Sequence, residues 1–313
     1  MNKVSAEKYI HRCLQLAAYG KGFTAPNPLV GAVIVHQGKI IGEGFHRKYG
    51  EAHAEVNAIA SVKDEKLLKE STLYVNLEPC SHYGKTPPCA ELIIQKQIPR
   101  VVVGQIDPYP EVSGRGINML RKAGVEVVCG VLEEECKSLN KRFLTYIFQQ
   151  RPYIILKWAQ SADGFMDRQR EANDGQAPVR FSNAFTQALV HKLRAEEAAI
   201  MVGKRTALLD KPSLNVRFWK GNDPVKIIAD SSLTLKQQLR ALYEQKIQSL
   251  IVEGGAKLLH SFLEENLWDE ALVEISPLIL EKGVVAPALN CVPGNVQKCE
   301  NSLIFDYNNA FNP

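Results

Sequence analysis

The chain has 313 residues, of which 45% are apolar and 23% are charged, and its formal net charge is +4. This length favours two domains, and the composition is that of an ordinary globular protein. The charge is too small for a dedicated nucleic-acid surface, and no apolar run is long enough to span a bilayer, so we expect neither partner. The N-terminus lacks the apolar core of a signal peptide, and the seven cysteines do not suggest a disulfide framework. We therefore expect a cytoplasmic protein.

In the first half of the chain, strand-like and helix-like segments alternate. Residues 5–19 repeat apolar groups at helical spacing, and a turn-rich stretch follows at residues 24–28. We predict strands at 30–35, 39–45, 72–77, 100–104 and 125–129. We predict further helices at 54–62, 89–96, 116–123 and 133–150. This alternation indicates an α/β layered sheet.

The alternation restarts after Arg151-Pro152, where we place a domain boundary between residues 1–150 and residues 151–313. Strands are predicted at 153–158, 199–202, 225–229, 249–252 and 271–275. Helices are predicted at 183–195, 235–245 and 256–264. The second half is therefore expected to be a second α/β domain.

Three potential zinc ligands lie at the ends of predicted elements in the first half. His53 precedes a helix, Cys80 follows a strand, and Cys89 starts the next helix. One imidazole and two thiolates suit a catalytic zinc site, whose fourth position is left to water. Zinc lowers the pKa of that water towards neutrality. Glu55 is two residues from His53 and is unneeded as a ligand, so we predict that it moves the proton.

Zinc deaminases carry a His-x-Glu…Pro-Cys-x-x-Cys signature, but here eight residues separate Cys80 from Cys89. Three alternatives stay open at this point. The histidine and cysteines are core residues that bind no metal, the zinc stabilises a binding protein without turnover, or the chain deaminates nucleic acid. The presence of Glu55 argues against a purely structural zinc site, and the first half has no dense basic stripe for nucleic acid. Together the four residues predict a zinc-dependent deaminase.

The second half offers two glycine-bearing turns after predicted strands. They are the Gly203–Thr206 stretch and the Glu253–Gly255 stretch. Either turn would let a phosphate or a cofactor approach the backbone closely, but neither matches the Rossmann fingerprint. Glycines after strands are also common in plain turns, so both interpretations stay open.

The sequence resembles a known family over nearly its whole length, the bifunctional deaminase–reductases of riboflavin biosynthesis. The segments that carry the resemblance are 24–31 (TAPNPLVG), 53–58 (HAEVNA), 76–89 (NLEPCSHYGKTPPC), 156–164 (LKWAQSADG), 202–206 (VGKRT), 210–217 (DKPSLNVR) and 253–255 (EGG). The wide cysteine spacing is typical of this family. The resemblance implies a cytidine-deaminase-like αβα layered sheet followed by a dihydrofolate-reductase-like α/β domain, with Zn²⁺ and NADPH as cofactors.

The implied substrate is a pyrimidine ribosyl phosphate, which loses its 2-amino group as ammonia and then has its ribose reduced to a ribityl chain. The resemblance places Asn27, His46, Glu55 and His82 around the pyrimidine, with Lys85 and Asp107 towards the phosphate. It assigns Lys157, Ser182, Arg194, Leu214 and Arg217 to the substrate in the second half, with Asp210 as a catalytic group. It assigns Ala159, Gly203, Thr206, Glu253, Gly254 and Gly255 to the cofactor. It also implies a homo-oligomer, either a dimer or a tetramer.

The chain departs from the family pattern at several places. Tyr109 stands where asparagine is usual, Arg180-Phe181-Ser182 replaces a Trp-Ile-Thr segment, and Lys211 replaces an acidic residue. The stretch 230–245 also looks abbreviated, as though a strand and its loops were missing. These departures leave open an alternative function, a deaminase whose reductase-like domain has lost activity.

Overall fold

The computed structural model describes residues 3–83, 87–107, 109, 113–171 and 175–309. The chain divides into two compact units, Met1–Gln149 and Gln150–Pro313. Within the described residues, no helix combines the length and the apolar character needed to cross a membrane. Each unit is built on one main sheet with helices on both faces.

The first unit has a five-stranded sheet. Its strands in chain order are β1 (Gly31–His36), β2 (Lys39–Phe45), β3 (Thr72–Leu77), β4 (Arg100–Gln105) and β5 (Glu126–Cys129). They lie in the order β2-β1-β3-β4-β5, with β1 antiparallel to both neighbours and the last three strands parallel. Parallel strands require crossover connections, which places helices over the faces of such a sheet.

Helices lie on both faces of this sheet. The helices of the unit are α1 (Lys3–Ala18), α2 (Ala54–Ala60), α3 (Cys89–Gln95), α4 (Arg115–Lys122), α5 (Glu133–Leu139) and α6 (Lys141–Gln149), with a 3-10 helix at Glu65–Glu70, and α6 has no buried residues. Buried residues of α1 and α5 pack on one face, and those of α2, α3 and α4 pack on the other. The predicted αβα layers are therefore confirmed.

The second unit has a seven-stranded sheet and a small two-stranded one. Its strands are β6 (Tyr153–Gln160), β7 (Phe165–Asp167), β8 (Ala199–Val202), β9 (Val225–Ile228), β10 (Ser249–Glu253), β11 (Glu270–Ile275), β12 (Val284–Val285), β13 (Asn295–Cys299) and β14 (Ser302–Asn308). The large sheet has the order β13-β14-β11-β6-β10-β8-β9, with β12 and β7 paired separately. The strands from β11 to β9 are mutually parallel, and the β13–β14 hairpin adds an antiparallel edge.

Strand β6 separates the two faces of this sheet by alternation. Its even-numbered residues Ile154, Leu156 and Trp158 belong to the large apolar core with the helices α9 (Leu235–Glu244) and α10 (Ala256–Glu264). Side chains alternate along a strand, so Lys157 faces the other side. The helix α7 (Ala184–Glu196) packs on that side, where Leu193 meets Ile200 and Ile251, and α8 (Lys204–Asp210) follows β8.

Two sequence predictions need correction or completion. The helix predicted at 133–150 is two helices, because the chain leaves the helical path at Asn140, whose side chain bonds Leu29. The stretch 230–245, which looks abbreviated in the sequence, is a short turn after β9 followed by α9 itself. There Thr234 and Gln237 form a complete capping box, which satisfies backbone N–H groups at the start of the helix.

Candidate metal centre and reductase site

Three side chains of the first unit converge on one point. His53 is the extended residue before α2, Cys80 lies beyond the end of β3, and Cys89 is the first residue of α3. Their ligand atoms all lie within 4.8 Å of one another, and this is the one such cluster among the described residues. The carboxyl end of β3 and the beginnings of α2 and α3 therefore build the candidate metal centre.

The spacing of these donors fits a zinc ion. The Nδ1 atom of His53 is 3.6 Å from the Sγ atom of Cys80 and 3.3 Å from that of Cys89. In a tetrahedral zinc site, sulfur and nitrogen ligands are about 3.5 Å apart. The ligand set His-Cys-Cys leaves a fourth position for water, so the geometry suits a catalytic site rather than a closed structural one.

The surroundings stabilise a thiolate at Cys80. The backbone N–H of Cys89 donates to its sulfur over 3.2 Å at the beginning of α3. The Cys89 thiol, this N–H and His53 together lower the pKa of Cys80 to about 4. Metals bind the thiolate form, so this sulfur is prepared for coordination.

Glu55 lies beside the donor cluster in the first turn of α2 and is 3% exposed. Burial raises its pKa to about 7. A carboxyl group with a pKa near the working pH both accepts and releases protons readily. The position and the protonation behaviour of Glu55 fit the role of proton carrier.

Asn27 and His46, which the resemblance assigns to the pyrimidine, lie together next to the cluster. The His46 ring lies edge-on to the His53 ring, with 5.6 Å between centroids. The carbonyl of Ala52 only accepts, so the 3.1 Å contact fixes a proton on Nδ1 of His46. Its Nε2 then accepts from the Asn27 amide at 3.1 Å, and burial lowers the pKa of His46. This histidine is therefore a buried, oriented group.

Two asparagines that the sequence analysis missed hold the turn that carries Asn27. Asn76 on β3 accepts from the Gly31 N–H at 2.7 Å and donates to the Leu29 carbonyl at 3.0 Å. Asn140 bonds both the N–H and the carbonyl of Leu29. Asn76 lies within a quoted motif, whereas only the fold brings Asn140 to this turn.

Glu78 is a further residue whose role was missed. Its buried carboxylate accepts four backbone N–H groups, from Asp107, Gly114, Gly116 and Ile117. It therefore holds both Asp107, just beyond β4, and the beginning of α4.

Asp107 is half-buried, and burial raises its pKa. His82 is exposed and close enough to act on Asp107 electrostatically. Lys85 lies outside the described residues.

In the second unit, the two predicted glycine turns meet. Gly203 follows β8, and Gly254 and Gly255 follow β10, at the carboxyl ends of two neighbouring parallel strands. Gly254 and Gly255 have left-handed φ values of 88° and 72°. A Cβ atom at either position would lie 3.0 Å from the Thr206 side chain. The left-handed backbone therefore favours glycine at both positions, and the space beside Thr206 is tight for any larger side chain.

Two of the predicted residues of this unit, Arg194 and Glu253, form an ion pair. Arg194 donates to both carboxylate oxygens of Glu253, at 2.6 and 3.2 Å. Lys157 lies opposite Glu253 in the parallel register of β6 and β10. Burial acts to raise the pKa of Glu253, but the charges of Lys157 and Arg194 outweigh it and hold that pKa below its usual value.

Asp210 and Arg217 differ in their contacts, because Asp210 forms an ion pair and Arg217 is exposed. Asp210 ends α8 and pairs with the buried guanidinium of Arg170 at 2.6 Å, a partner that the sequence analysis did not identify. Arg217 is exposed, and its guanidinium contacts the side chains of Ser213 and Asn215. Its backbone N–H donates to Nδ1 of His191 over 2.8 Å. The nearby Leu214 is buried with a left-handed φ of 48°.

The remaining predicted residues are Ala159 and Ser182. Ala159 is near the carboxyl end of β6, opposite Glu274 of β11. The hydroxyl of Ser182 donates to Oε2 of Glu274 at 2.5 Å. Ser182 is therefore tied to a buried carboxyl group that the sequence analysis did not single out.

Known proteins match both units. The family described as the cytidine and deoxycytidylate deaminase zinc-binding region matches residues 3–105, and the RibD C-terminal domain matches residues 152–289. The riboflavin biosynthesis protein RibD of Aquifex aeolicus is 40% identical, over 89% of this chain and 88% of that protein. The RibD protein of Escherichia coli is 34% identical, over 92% and 91%.

Solved structures match the whole chain as well. A Thermotoga maritima protein, described as a diaminohydroxyphosphoribosylaminopyrimidine deaminase/5-amino-6-(5-phosphoribosylamino)uracil reductase, has a TM-score of 0.86 at 34% identity, covering 97% of this chain and 98% of its own. Acinetobacter baumannii RibD has a TM-score of 0.88 at 30% identity, covering 97% and 99%. The similarity extends over both units.

Proposed function

Because the chain belongs to the RibD family of bifunctional riboflavin biosynthesis enzymes, we propose that residues 1–150 carry the deaminase and residues 151–313 the reductase. The substrate would be a diaminopyrimidinone ribosylamine phosphate. Its 2-amino group leaves as ammonia in the first unit, and its ribose is reduced in the second. The observation that carries the deaminase assignment is the convergence of His53, Cys80 and Cys89 beside the buried Glu55.

In the first unit, His53, Cys80 and Cys89 would hold zinc, which acidifies water and so supplies a nucleophile near neutral pH. Glu55 would accept a proton from the attacking water and pass it to the departing amine. Asn27 and His46 orient the pyrimidine, because their mutual hydrogen bond fixes both side chains. His82 would also border the pyrimidine, and Lys85 and Asp107 would lie towards the phosphate.

In the second unit, NADPH would supply a hydride to the anomeric carbon of the ribose. Gly203, Thr206, Gly254 and Gly255 let its phosphates approach the backbone, with Ala159 and Glu253 alongside. Lys157, Arg194 and Arg217 attract the substrate phosphate, while Ser182 and Leu214 border the substrate. Asp210 acts on the ribose ring oxygen or a hydroxyl as the ring opens.

The metal assignment is tested by the zinc content and the ammonia release of Cys89→Ser, with Cys129→Ser as the matched control. Cys129 is a half-buried cysteine on β5 outside the donor cluster. We expect the Cys89 variant to lose zinc and ammonia release together, and the Cys129 variant to keep both. Equal zinc in the two variants would contradict the assignment.

Two finer expectations complete the proposal. The resemblance supports a homo-oligomer, either a dimer or a tetramer, which light scattering on the purified chain would test. The cysteines that the structure describes are free, and Cys80 and Cys89 must stay reduced to bind metal, which supports a cytoplasmic location. Cell fractionation would test that location.

A further inference from the structure

Helix α8 carries two residues of the proposed reductase site, Thr206 in its first turn and Asp210 at its end. None of its seven residues is buried, and Ala207 packs against the apolar cluster of β8 and β10. A short helix draws most of its stability from packing an apolar face against the rest of the protein. Because α8 has no buried face, polar contacts must contribute to holding Asp210 in place.

Arg170, which follows β7, supplies such a contact. The residue is 7% exposed, and its guanidinium lies between two carboxylates. Nε donates to Oδ2 of Asp167 at 2.7 Å, and Nη2 donates to Oδ1 of Asp210 at 2.6 Å. Nη2 also contacts the Asp167 carboxylate. A guanidinium presents a planar fork of donors, so one arginine can join two carboxylates that a lysine would meet with a single point charge.

The segment that carries Arg170 is itself fixed on both sides. Asp167 ends β7, where its Oδ1 accepts the backbone N–H of Val179 at 3.0 Å. The carbonyl of Arg170 accepts from the Arg205 guanidinium at 2.8 Å, in the first turn of α8. Arg170 therefore contacts α8 at its beginning through the backbone and at its end through the side chain.

The pairing leaves one oxygen of Asp210 available. Oδ1 is bound by Arg170, whereas Oδ2 has no hydrogen-bond partner among the described residues, and the side chain is 25% exposed. A carboxylate that is held at one oxygen points the other in a fixed direction, as a functional group must. Asp210 thus has one anchored oxygen and one that can reach a ligand.

We propose that Arg170 is a positioning residue of the reductase, which anchors Oδ1 of Asp210 and so directs Oδ2 at the ribose of the substrate. The inference rests on the proposed reductase function, in which Asp210 acts on the ribose ring oxygen or a hydroxyl. Arg170 acts through Asp210, because its guanidinium is buried between the two carboxylates.

The test is a double-mutant cycle in the full-length enzyme, with Arg170→Met, Asp210→Asn and the two combined. The readout is NADPH oxidation with the phosphoribosylaminouracil. A displacement of about 1 Å can cost on the order of 10²-fold in rate, so we expect kcat to fall about 10- to 100-fold in Arg170→Met. The KM for NADPH should stay unchanged, because Thr206 and the glycine turns are intact. In the Asp210→Asn background, Arg170→Met should lower kcat no further.

Arg151→Met is the matched control for stability. It breaks the buried pair with Asp269 at the amino ends of β6 and β11, so it removes no contact to Asp210. Its kcat should equal that of the wild type at a temperature where both are folded. Three results would overturn the inference: an unchanged kcat in Arg170→Met, an equal fall in the control, or an Arg170 effect that persists undiminished in the Asp210→Asn background.

If Arg170→Met does not fold, Arg170→Lys carries the same cycle with a smaller expected fall, since lysine lacks the fork that joins the two carboxylates. A wild type that does not oxidise NADPH with the uracil substrate would contradict the proposed function. The positioning is then tested on its own by the crystal structure of the Arg170 variant. We expect the Asp210 carboxylate to turn away or to occupy more than one conformer, and an unmoved carboxylate would overturn the inference.

Discussion

The two proposed sites differ in how their polar groups are arranged. In the first unit, His53, Cys80 and Cys89 converge on a single point beside Glu55, and each comes from the end of a regular element. In the second unit, Arg194 pairs with Glu253, and Asp210 pairs with Arg170. The side chains of the first site can coordinate a metal, whereas Arg194 and Asp210 of the second site are each paired with an oppositely charged side chain.

Because of this difference, we expect the loss of one side chain to affect the two reactions unequally. The deaminase centre depends on every donor, because a tetrahedral site with three protein ligands has none to spare. In the proposed reductase site, a substrate phosphate that binds Arg194 would have to compete with Glu253. Loss of one charge there should weaken substrate binding without abolishing turnover.

The largest effect should come from Glu55→Gln. The amide keeps the shape of the side chain but neither takes up nor releases a proton near neutral pH, so we expect zinc to remain bound and ammonia release to fall by about 10²- to 10⁴-fold. The measurement is ammonia release together with zinc content. NADPH oxidation with the uracil intermediate should be unchanged, and substantial retained deamination would rule out the proton-carrying role.

A second variant tests whether the second unit can be destabilised while the first unit stays folded. Arg151 and Asp269 form a buried two-point ion pair at 2.6 and 2.7 Å, and Asp269 also accepts the Ile154 N–H. Asp269→Ala leaves a buried charge unpaired, so we expect a loss of about 3–5 kcal/mol in the free energy of unfolding of this unit. Denaturant unfolding measures this loss, and reduction should fail at a lower temperature than deamination.

The control for this variant is Glu244→Ala, which breaks the exposed pair between Arg240 and Glu244 on α9. Exposed pairs contribute at most about 1 kcal/mol. Equal losses in the two variants would contradict the distinction between the buried pair and the exposed pair. Simultaneous loss of both activities in the Asp269 variant would contradict the separation of the two units.

The free energy of unfolding of the first unit should depend on pH because Glu55 is buried. The pKa of Glu55 rises from 4.5 to about 7 on folding, so between these values the folded state keeps a proton that the unfolded state releases. Relative to Glu55→Gln, the metal-free wild type should therefore lose roughly 3 kcal/mol of stability as pH rises through this window. Urea unfolding at several pH values measures it, and a constant difference between the two proteins would contradict the burial argument.

The smallest effect concerns Arg217. If its guanidinium contacts the substrate phosphate, Arg217→Ala should raise the KM of reduction about 10- to 100-fold, as expected for a charge-assisted hydrogen bond. Deamination should be unaffected. Arg240→Ala, which removes another exposed arginine, should change neither reaction. An unchanged reductase in the Arg217 variant would show that the phosphate binds elsewhere.

The convergence of His53, Cys80 and Cys89 could be predicted from the sequence because its signals are local. His53 and Glu55 are two residues apart, and the helices that follow His53 and Pro88 begin where the pattern placed them, at Ala54 and Cys89. The two glycine turns were found for the same reason. Each was recognised as a short segment after a strand, and the fold then placed Thr206 against Gly254.

What the sequence did not reveal depends on distant partners. Asn140 bonds Leu29 across 111 positions, and Ser182 bonds Glu274 across 92. No local pattern marks such pairs. The β13–β14 hairpin was missed because β13 is a largely exposed edge strand, so it lacks the alternation of apolar and polar residues that a half-buried strand shows.

The most direct test supplies the diamino precursor and NADPH to one preparation of the chain and follows ammonia and cofactor oxidation together. The wild type should release ammonia and oxidise NADPH in equal amounts. The Glu55→Gln variant should oxidise NADPH when given the phosphoribosylaminouracil but not when given the precursor. Ammonia release by the wild type without any NADPH oxidation, even with the uracil intermediate supplied, would contradict the assignment of two working sites.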